Sequence, residues 1–357
     1  MQYIEQRGDE VYPGRKIRIL VVDDSILFRE ILVRGLSSDP GLEVVATAKD
    51  PFEARDKLIQ YQPDVMTCDI EMPKMNGIEF VRRLLPQYTL PVIMVSSLSG
   101  TVFDALKAGA VDFVVKPDVN SLKGVENFVH EMVHKVKIAV AAKVLPQEAE
   151  LTQITDAPPG GTVNEGIIAI GASTGGTEAI YHVLKCLPAN IPGVVIVQHI
   201  PPVFSRMFAE RMNSSTSLNV KEAKTGDFVE NGCVFIAPGD QHMKIKKVGH
   251  RYKIECFMGD KVNGHCPSVD VLFESVAKDA GAMALGIILT GMGNDGAKGL
   301  FSMRRAGAQT IGQDEGSCVV YGMPKVAYNI GAVIKQAPLH QIPNLIFSWI
   351  AYQQTKS

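Results

Sequence analysis

No apolar run in these 357 residues approaches the ~20 needed to cross a bilayer. Neither sign of charge is in excess. The 36 Lys and Arg stand against 38 Asp and Glu, and a net charge of −2 argues against a nucleic-acid partner, which demands a basic face. Cysteine is sparse and unpatterned: Cys68, Cys186, Cys233, Cys256, Cys266 and Cys318 form no Cys-x-x-Cys pair. Zinc-ligand spacing and a disulfide framework are both missing, so a reducing cytoplasm is the expected location. The stretch from Met1 to Lys16 is polar and lacks the apolar middle of a secretory signal. Internal repeats and low-complexity tracts are absent too. What remains, 46% apolar and 21% charged residues over this length, is enough for two soluble domains that each bury a core.

The apolar residues come in short runs. Ile17 to Val22, Leu42 to Ala46, Val65 to Cys68, Pro91 to Val95 and Asp112 to Val115 are Val/Ile-rich, too short for buried helices, and each ends at a polar or Gly/Pro stop. Helical patterns separate them, which predicts a parallel sheet covered on both faces. Ser121 is a good cap for a last helix whose apolar positions run from Leu122 to Val136. Pro146 to Gly161 then loses all periodicity and contains Pro158-Pro159-Gly160-Gly161. A second alternation starts at Gly166, with strands expected near 167–170, 194–198, 233–236 and 285–290. Lys244 to Phe257, folded about Gly249-His250, reads as an antiparallel hairpin. The expected class is α/β with two doubly wound parallel-sheet domains, over 16–140 and 165–353, joined by a linker over 141–164.

In the first half, functional residue types fall at strand ends, where open parallel sheets bind ligands. Asp23 and Asp24 close the first run, Asp69 the third, Ser96 the fourth and Lys116 the fifth. Converging carboxylates repel unless a cation sits among them, and a hard, oxygen-seeking Mg²⁺ fits best. With a cation and an ammonium nearby, one carboxylate could attack phosphorus and become an acyl phosphate. Asp23-Asp24-Ser25, Asp69-Ile70-Glu71-Met72-Pro73 with Gly77, Ser96 and Lys116-Pro117 resemble, in order and spacing, the flavodoxin-like receiver domain of two-component response regulators. The resemblance implies Asp69 as phosphoacceptor, Asp23, Asp24 and Asp69 as Mg²⁺ ligands, and Lys116 as the phosphoryl contact. It also implies Ser96 and Phe113 as the switch pair, a cis Lys116-Pro117 bond, and a sensor histidine kinase as phosphodonor.

The second half opens with Ile167-Ile168-Ala169-Ile170 running into Gly171-Ala172-Ser173-Thr174-Gly175-Gly176. A strand feeding a Gly-x-Ser-x-Gly turn exposes a hydroxyl on a sharp corner beside the amides of the next helix. A serine hydroxyl needs a base, and the base an orienting acceptor. His199, after Gly193 to Gln198, can supply the first, and Asp295, in Thr290 to Gly296, the second. Each has a blander reading. The glycine-rich turn alone could cradle a phosphate, although it lacks the Gly-Lys-Ser/Thr ending of a P-loop. His182, His242, His250 and His265 compete with His199, and Asp295 could be a turn residue or a metal ligand. A domain that only binds a partner is a further alternative, although nothing in this half looks like a helix-turn-helix. The chain order Ser, His, Asp does not fit the α/β-hydrolases, whose order is Ser, acid, His.

These segments, with Gln198-His199-Ile200-Pro201, Ala237-Pro238-Gly239, Val262-Asn263-Gly264-His265, Pro267-Ser268-Val269-Asp270 and Leu289 to Gly296, resemble the Rossmann-like catalytic domain of chemotaxis protein-glutamate methylesterases. The resemblance implies Ser173 as nucleophile, His199 as base, Asp295 as orienting acid and backbone amides near Thr174 and Met292 as an oxyanion hole. It implies no cofactor for the ester reaction. Its implied substrates are glutamate γ-methyl esters on chemoreceptors, with glutamine deamidation as an added activity, and it implies contact with membranes only through those receptors. Cys266 departs from the pattern, standing where an arginine is expected. Phosphorylation would relieve a block of the Ser173 edge by the receiver.

Overall fold

The computed structural model describes residues 15–97, 100–143 and 166–355. These form two compact units, taken one at a time below. The expected linker, apart from residues 141–143, lies outside the described residues.

In the first unit the five Val/Ile-rich runs are β1 (Ile17–Val22), β2 (Leu42–Ala48), β3 (Val65–Asp69), β4 (Val92–Ser96) and β5 (Asp112–Val115). Helices α1 (Ile26–Ser37), α2 (Pro51–Tyr61), α3 (Gly77–Leu84), α4 (Val102–Lys107) and α5 (Leu122–Ala139) alternate with them. All pairs are parallel, in the order β2-β1-β3-β4-β5. β3 and β4 are buried along their whole length, which is why their runs show no polar alternation. Helix starts follow short polar side chains. Asp50 accepts from the amides of Phe52 and Glu53 ahead of α2, Asn76 from that of Glu79 ahead of α3, and Ser121 from that of Gly124 ahead of α5.

The second unit is built of β6 (Ile167–Ala172), α6 (Gly176–Lys185), β7 (Gly193–Gln198), α7 (Phe204–Ser215), β8 (Asn219–Glu222), β9 (Phe228–Val229), β10 (Cys233–Ile236), β11 (His242–Val248) and β12 (Arg251–Phe257), and then of α8 (Val269–Asp279), β13 (Ala284–Ile288), α9 (Ala297–Arg305), β14 (Gln309–Gln313), α10 (Met323–Asn329), β15 (Lys335–Ala337) and α11 (Ile342–Gln354). Seven strands pair in parallel in the order β15-β14-β13-β6-β7-β10-β8, and β11-β12-β9 form a separate antiparallel sheet. The α/β class with two doubly wound sheets therefore holds, as does the hairpin. Strands β8, β9, β14 and β15 go beyond the sequence reading. Helix α8 buries Val269, Leu272, Phe273 and Val276, at helical spacing, in the core. That packing fixes where its N-terminus points.

One expectation is corrected. Among the described residues the cis peptide bond is Cys266–Pro267, so Lys116–Pro117 is trans. The two isomers of an X–Pro bond differ by only about 0.5–1 kcal/mol, too little for local sequence to fix one. None of the six cysteines, all among the described residues, forms a disulfide. No described helix is long and apolar enough to cross a membrane.

Candidate active site and receiver pocket

Parallel pairing brings Ser173 and His199 together. Ala172 pairs with Gln198, so the next residues, Ser173 and His199, leave adjacent strands side by side at the roughly 4.8 Å strand spacing. Their backbones are pinned there: the Ser173 amide donates to Thr290 O at 3.0 Å, and the His199 amide to Ala172 O at 3.1 Å. The Gln198 side-chain amide, also buried, donates to the carbonyls of Ser173 (2.8 Å) and His199 (3.1 Å).

Asp295 arrives from the turn after β13, on the other side of β6. Its Oδ2 lies 2.9 Å from His199 Nε2 and also accepts from the Val269 amide at 2.7 Å. Its Oδ1 accepts from Asn263 Nδ2 (2.8 Å), Ser268 Oγ (2.8 Å) and the Asp270 amide (3.2 Å). Val269 and Asp270 open α8, so the carboxylate sits at a helix N-terminus, where donors and dipole favour an anion. Burial alone would raise the pKa of Asp295, but the hydrogen bond and charge of His199, with Asn263 and Ser268, hold it well below the ordinary carboxylate range. An ionised acceptor at Nε2 fixes the imidazole tautomer, with the proton on Nε2 and the lone pair on Nδ1. Nδ1 is buried and has no hydrogen-bond partner. Its lone pair is thus uncommitted.

Two backbone amides flank the serine. A β-carbon on Gly291 would lie 2.6 Å from Ser173 Cβ, so only glycine lets this turn approach so closely. The carbonyl of Gly291 accepts from the amides of Gly322 (3.1 Å) and Met323 (2.7 Å). In a planar trans peptide the Met292 N–H then faces the opposite way. The carbonyl of Ser173 is likewise taken, by Gln198 and by the Gly176 amide at 2.7 Å, which turns the Thr174 N–H to the other side of its peptide.

Sequence reasoning missed the supporting residues. Asn263 and Gly264, both with positive φ, form a two-residue turn closed by reciprocal Val262–His265 backbone bonds. The Asn-Gly dipeptide is the signal that could have revealed it. The turn presents Asn263 Nδ2 to two buried carboxylates, Asp295 and Asp270, at 2.8 Å each. It also lays the His265 ring on that of His199, 3.7 Å between centroids and 9° from parallel. Burial pushes the Asp270 carboxyl up, against a hydrogen bond from the Gly299 amide. The departure Cys266 sits half-buried, its thiol donating to Asp240 O at 3.3 Å.

In the first unit, Asp23 and Asp69 are buried at the ends of neighbouring strands β1 and β3, and Asp24 is exposed beside them. One oxygen from each lies within 4.8 Å of the others. Lys116 Nζ stands 2.7 Å from Asp69 Oδ2 and 2.9 Å from Asp23 Oδ2, although the latter oxygen accepts no hydrogen bond of good geometry. Three carboxylates thus face one ammonium. Burial, aided by the charge of Asp23, pushes Asp69 up to about 6 in spite of Lys116. Burial would lower the pKa of Lys116, but its bonds to Asp69 and Asp23 raise it. A buried oxygen without a donor and a surplus of hard anionic ligands fit a Mg²⁺ ion. Ser96 is buried at the end of β4, its carbonyl accepting from the Lys116 amide at 2.8 Å. Phe113 is buried under the Lys135 ammonium, 5.0 Å from its ring centre. Gly77 is required beside Asp69, because a β-carbon there would lie 2.0 Å from the Asp69 carbonyl oxygen.

The fold and site define a class: an α/β protein with a serine–histidine–aspartate edge in one unit and an acidic strand-end pocket in the other. Residues 168–346 match the family model of CheB methylesterase, and residues 19–125 that of the response regulator receiver domain. The chain is 57% identical over 336 residues to the protein-glutamate methylesterase/protein-glutamine glutaminase 2 of Syntrophomonas wolfei, covering 94% of this chain and 98% of that one. It is 47% identical over 343 residues to the protein-glutamate methylesterase/protein-glutamine glutaminase of Salmonella typhimurium, covering 95% and 98%. The crystal structure of the Thermotoga maritima CheB methylesterase catalytic domain superposes with a TM-score of 0.50 at 38% identity, covering 51% of this chain and 97% of that one. The chain belongs to the CheB methylesterase family.

Two measurements probe the network around Asp295. The single tryptophan, Trp349, is buried in the second unit, so its fluorescence reports that unit's unfolding. Asp295 has a lower pKa folded than unfolded, so the folded state binds fewer protons and this contribution to stability rises with pH. It is fully present above the ordinary carboxylate value of ~3.9 and is lost as pH falls below it. Asp270 is shifted oppositely, so the difference between wild type and Asp295→Asn isolates the effect: the gap in stability should narrow on going from pH 6 to pH 3. A constant gap would refute the assignment. Asn263→Ala should cost about 1.5–3 kcal/mol in the same unfolding assay, as expected for losing bonds to buried charge. A loss within 0.5 kcal/mol, the usual range of a surface change, would show that the amide is dispensable.

Proposed function

We propose that this protein is a phosphorylation-activated carboxylic ester hydrolase that removes γ-methyl esters from glutamates of chemoreceptors, releasing methanol. The observation that carries the reading is the free Nδ1 of His199, on a ring whose other nitrogen is held by ionised Asp295 and whose strand neighbour is Ser173. Both relatives also carry glutaminase in their names. An amide presents the same acyl carbon with ammonia as the poorer leaving group, so the same residues serve receptor glutamine deamidation.

The geometry supports the following roles. Ser173 Oγ adds to the ester carbonyl carbon while His199 Nδ1 takes its proton. The ring becomes an imidazolium that the Asp295 carboxylate stabilises without itself being protonated. The amides of Thr174 and Met292 donate to the oxyanion. Collapse expels methoxide, which takes the proton from Nδ1 and leaves as methanol, with the acyl group on Ser173. Water then adds to the acyl carbon, giving its proton to Nδ1, and the tetrahedral adduct releases glutamate and restores the Ser173 hydroxyl. No cofactor enters these steps.

We take residues 16–140 as the receiver, 141–164 as the linker and 165–353 as the catalytic domain. In the receiver Asp69 is the phosphoacceptor, with Asp23 and Asp24 joining it as ligands of Mg²⁺. The bound ion would offset the charge of the incoming phosphoryl oxygens. Lys116 contacts the phosphoryl group, and Ser96 and Phe113 respond to it. The phosphodonor is a sensor histidine kinase. The protein works in the cytoplasm and meets the membrane only through its receptors.

The test is methanol release from methylated chemoreceptor membranes, with and without a small-molecule phosphodonor plus Mg²⁺. Wild type should release methanol faster with the donor, and Asp69→Ala should respond to neither addition. Ser173→Ala should lose roughly 10⁴-fold or more, the scale of removing a triad nucleophile. Release from Ser173→Ala at the wild-type rate would overturn the mechanism.

A further inference from the structure

We infer that the outer face of the antiparallel sheet β11-β12-β9 is a docking surface for an acidic, helical segment of a protein substrate. This deepens the proposed function by naming what recognises the polypeptide around the ester.

The composition of this sheet differs from the rest of the chain. Residues 242–257 hold five cations, Lys244, Lys246, Lys247, Arg251 and Lys253, and one carboxylate, Glu255, within a protein whose net charge is −2. Strand alternation then sorts them. Met243, Ile245, Tyr252 and Ile254 turn inward and are buried. The opposite face carries the cross-strand pairs Lys244–Glu255, Lys246–Lys253 and Val248–Arg251. Only the first pair is neutral, with Lys244 Nζ 3.2 Å from Glu255 Oε1. Lys246 and Lys253 stand directly opposite each other, an arrangement that destabilises a sheet when nothing neutralises it. Among the described residues neither forms an ion pair, nor does Arg251. Aromatic rings support the cations without cancelling their charge. Arg251 and Lys253 lie 4.1 and 5.8 Å from the centre of the Phe228 ring, and Lys244 lies 4.6 Å from that of Phe257. The fold keeps this surplus of positive charge exposed at some cost, and a complementary anion removes the cost.

Position selects the occupant. β11 begins at His242, whose Nδ1 accepts from the Ser268 amide at 3.2 Å, and Ser268 Oγ donates to Asp295 at 2.8 Å. One end of the basic face is thus bonded into the triad's own support. The other lies about 20 Å away, six steps of ~3.3 Å from His242 to Val248. A helix of about 13–15 residues covers that span. The reaction also supplies the charge, because each turnover converts a neutral glutamyl ester into a carboxylate. A segment bearing several such sites is acidic wherever it has already been processed. A lipid surface has no need of continuity with the ester-cleaving edge, so the protein segment is the favoured occupant.

The experiment measures fluorescence anisotropy of two labelled helical peptides of about 15 residues. One carries glutamates along a face, and the other carries glutamines at the same positions. Full-length protein should bind the glutamate peptide at least about tenfold more tightly at low salt, with the preference shrinking as salt rises. K246E/K253E should abolish the preference and gain affinity for a lysine-faced peptide, which a misfolded variant could not do. Lys335→Glu, on the distant edge strand β15, should leave the preference intact. Equal binding of the two peptides by wild type would overturn the inference. So would an unchanged preference in K246E/K253E, or a reversal that removes binding to phosphatidylglycerol vesicles while sparing the peptide. Binding does not involve Ser173, so its outcome is separable from that of the esterase test. A protein that binds the acidic peptide but hydrolyses no ester loses the catalytic reading alone.

Discussion

The second unit depends on how one buried carboxylate is kept ionised. Taking an isolated charge out of water costs several kcal/mol even after relaxation, and a buried carboxyl normally escapes by taking up a proton. Asp295 does not escape, because three side chains and two backbone amides, from His199, Asn263, Ser268, Val269 and Asp270, donate to its two oxygens. These donors come from the end of β7, the Asn-Gly turn and the first turn of α8. Assembling the acid therefore assembles the whole edge. Ser268 binds the carboxylate and also accepts from Val271 as the cap of α8, so the helix start and the acid's environment form together.

The receiver pocket solves the same electrostatic problem in the opposite way. There the carboxylates are under-compensated: the Lys116 ammonium is paired with both Asp23 and Asp69, Asp24 lies beside them, and burial, aided by the charge of Asp23, pushes Asp69 up to about 6. A site satisfied internally is a fixed device, and an imidazole tautomer is worth fixing. A site left short of positive charge stays responsive to a cation and to the charge that follows it. Each unit thus has the electrostatics its part requires. Constant geometry suits the proton transfer proposed at Nδ1, while a pocket whose charge balance changes can carry a signal.

Much of this was legible in the sequence because the strands that position both sites are buried on both faces. Val65–Asp69, Val92–Ser96 and Ile167–Ala172 read as largely apolar runs, and the polar residues at or just past their ends, Asp69, Ser96 and Ser173, are the candidate site residues. What escaped is what lacks that signature. β14, Gln-Thr-Ile-Gly-Gln, owes its strand to pairing on both sides and not to composition. β15 and β9 are edge pieces of three and two residues, which no periodicity can reveal. The support of Asp295 was hidden for another reason. Asn263 and Asp295 are 32 positions apart, and their contact exists only because α8 packs its apolar stripe into the core and aims its N-terminus at the β13 turn. The trans state of Lys116–Pro117 is likewise set by tertiary context and not by the dipeptide.

The same network explains why the basic sheet stands where it does. A hairpin tied to the rest of the unit only by its core residues could tilt without consequence for catalysis. This one is also tied through His242, whose two ring nitrogens meet the Ser268 amide and the Asp260 carbonyl. Ser268 N–H and Ser268 Oγ thereby join the hairpin and Asp295 to a single residue. His242 Nδ1 accepts there, so Nε2 carries the proton that it donates to Asp260, and the ring holds one orientation. A polypeptide lying along Lys246, Lys253 and Arg251 would thus be registered against the serine edge through two hydrogen bonds and not through a flexible loop. Positioning to a fraction of an ångström is what turns binding of a distant part of a substrate into rate at the reacting carbon. The buried serine cap of α8 is the point through which that positioning passes.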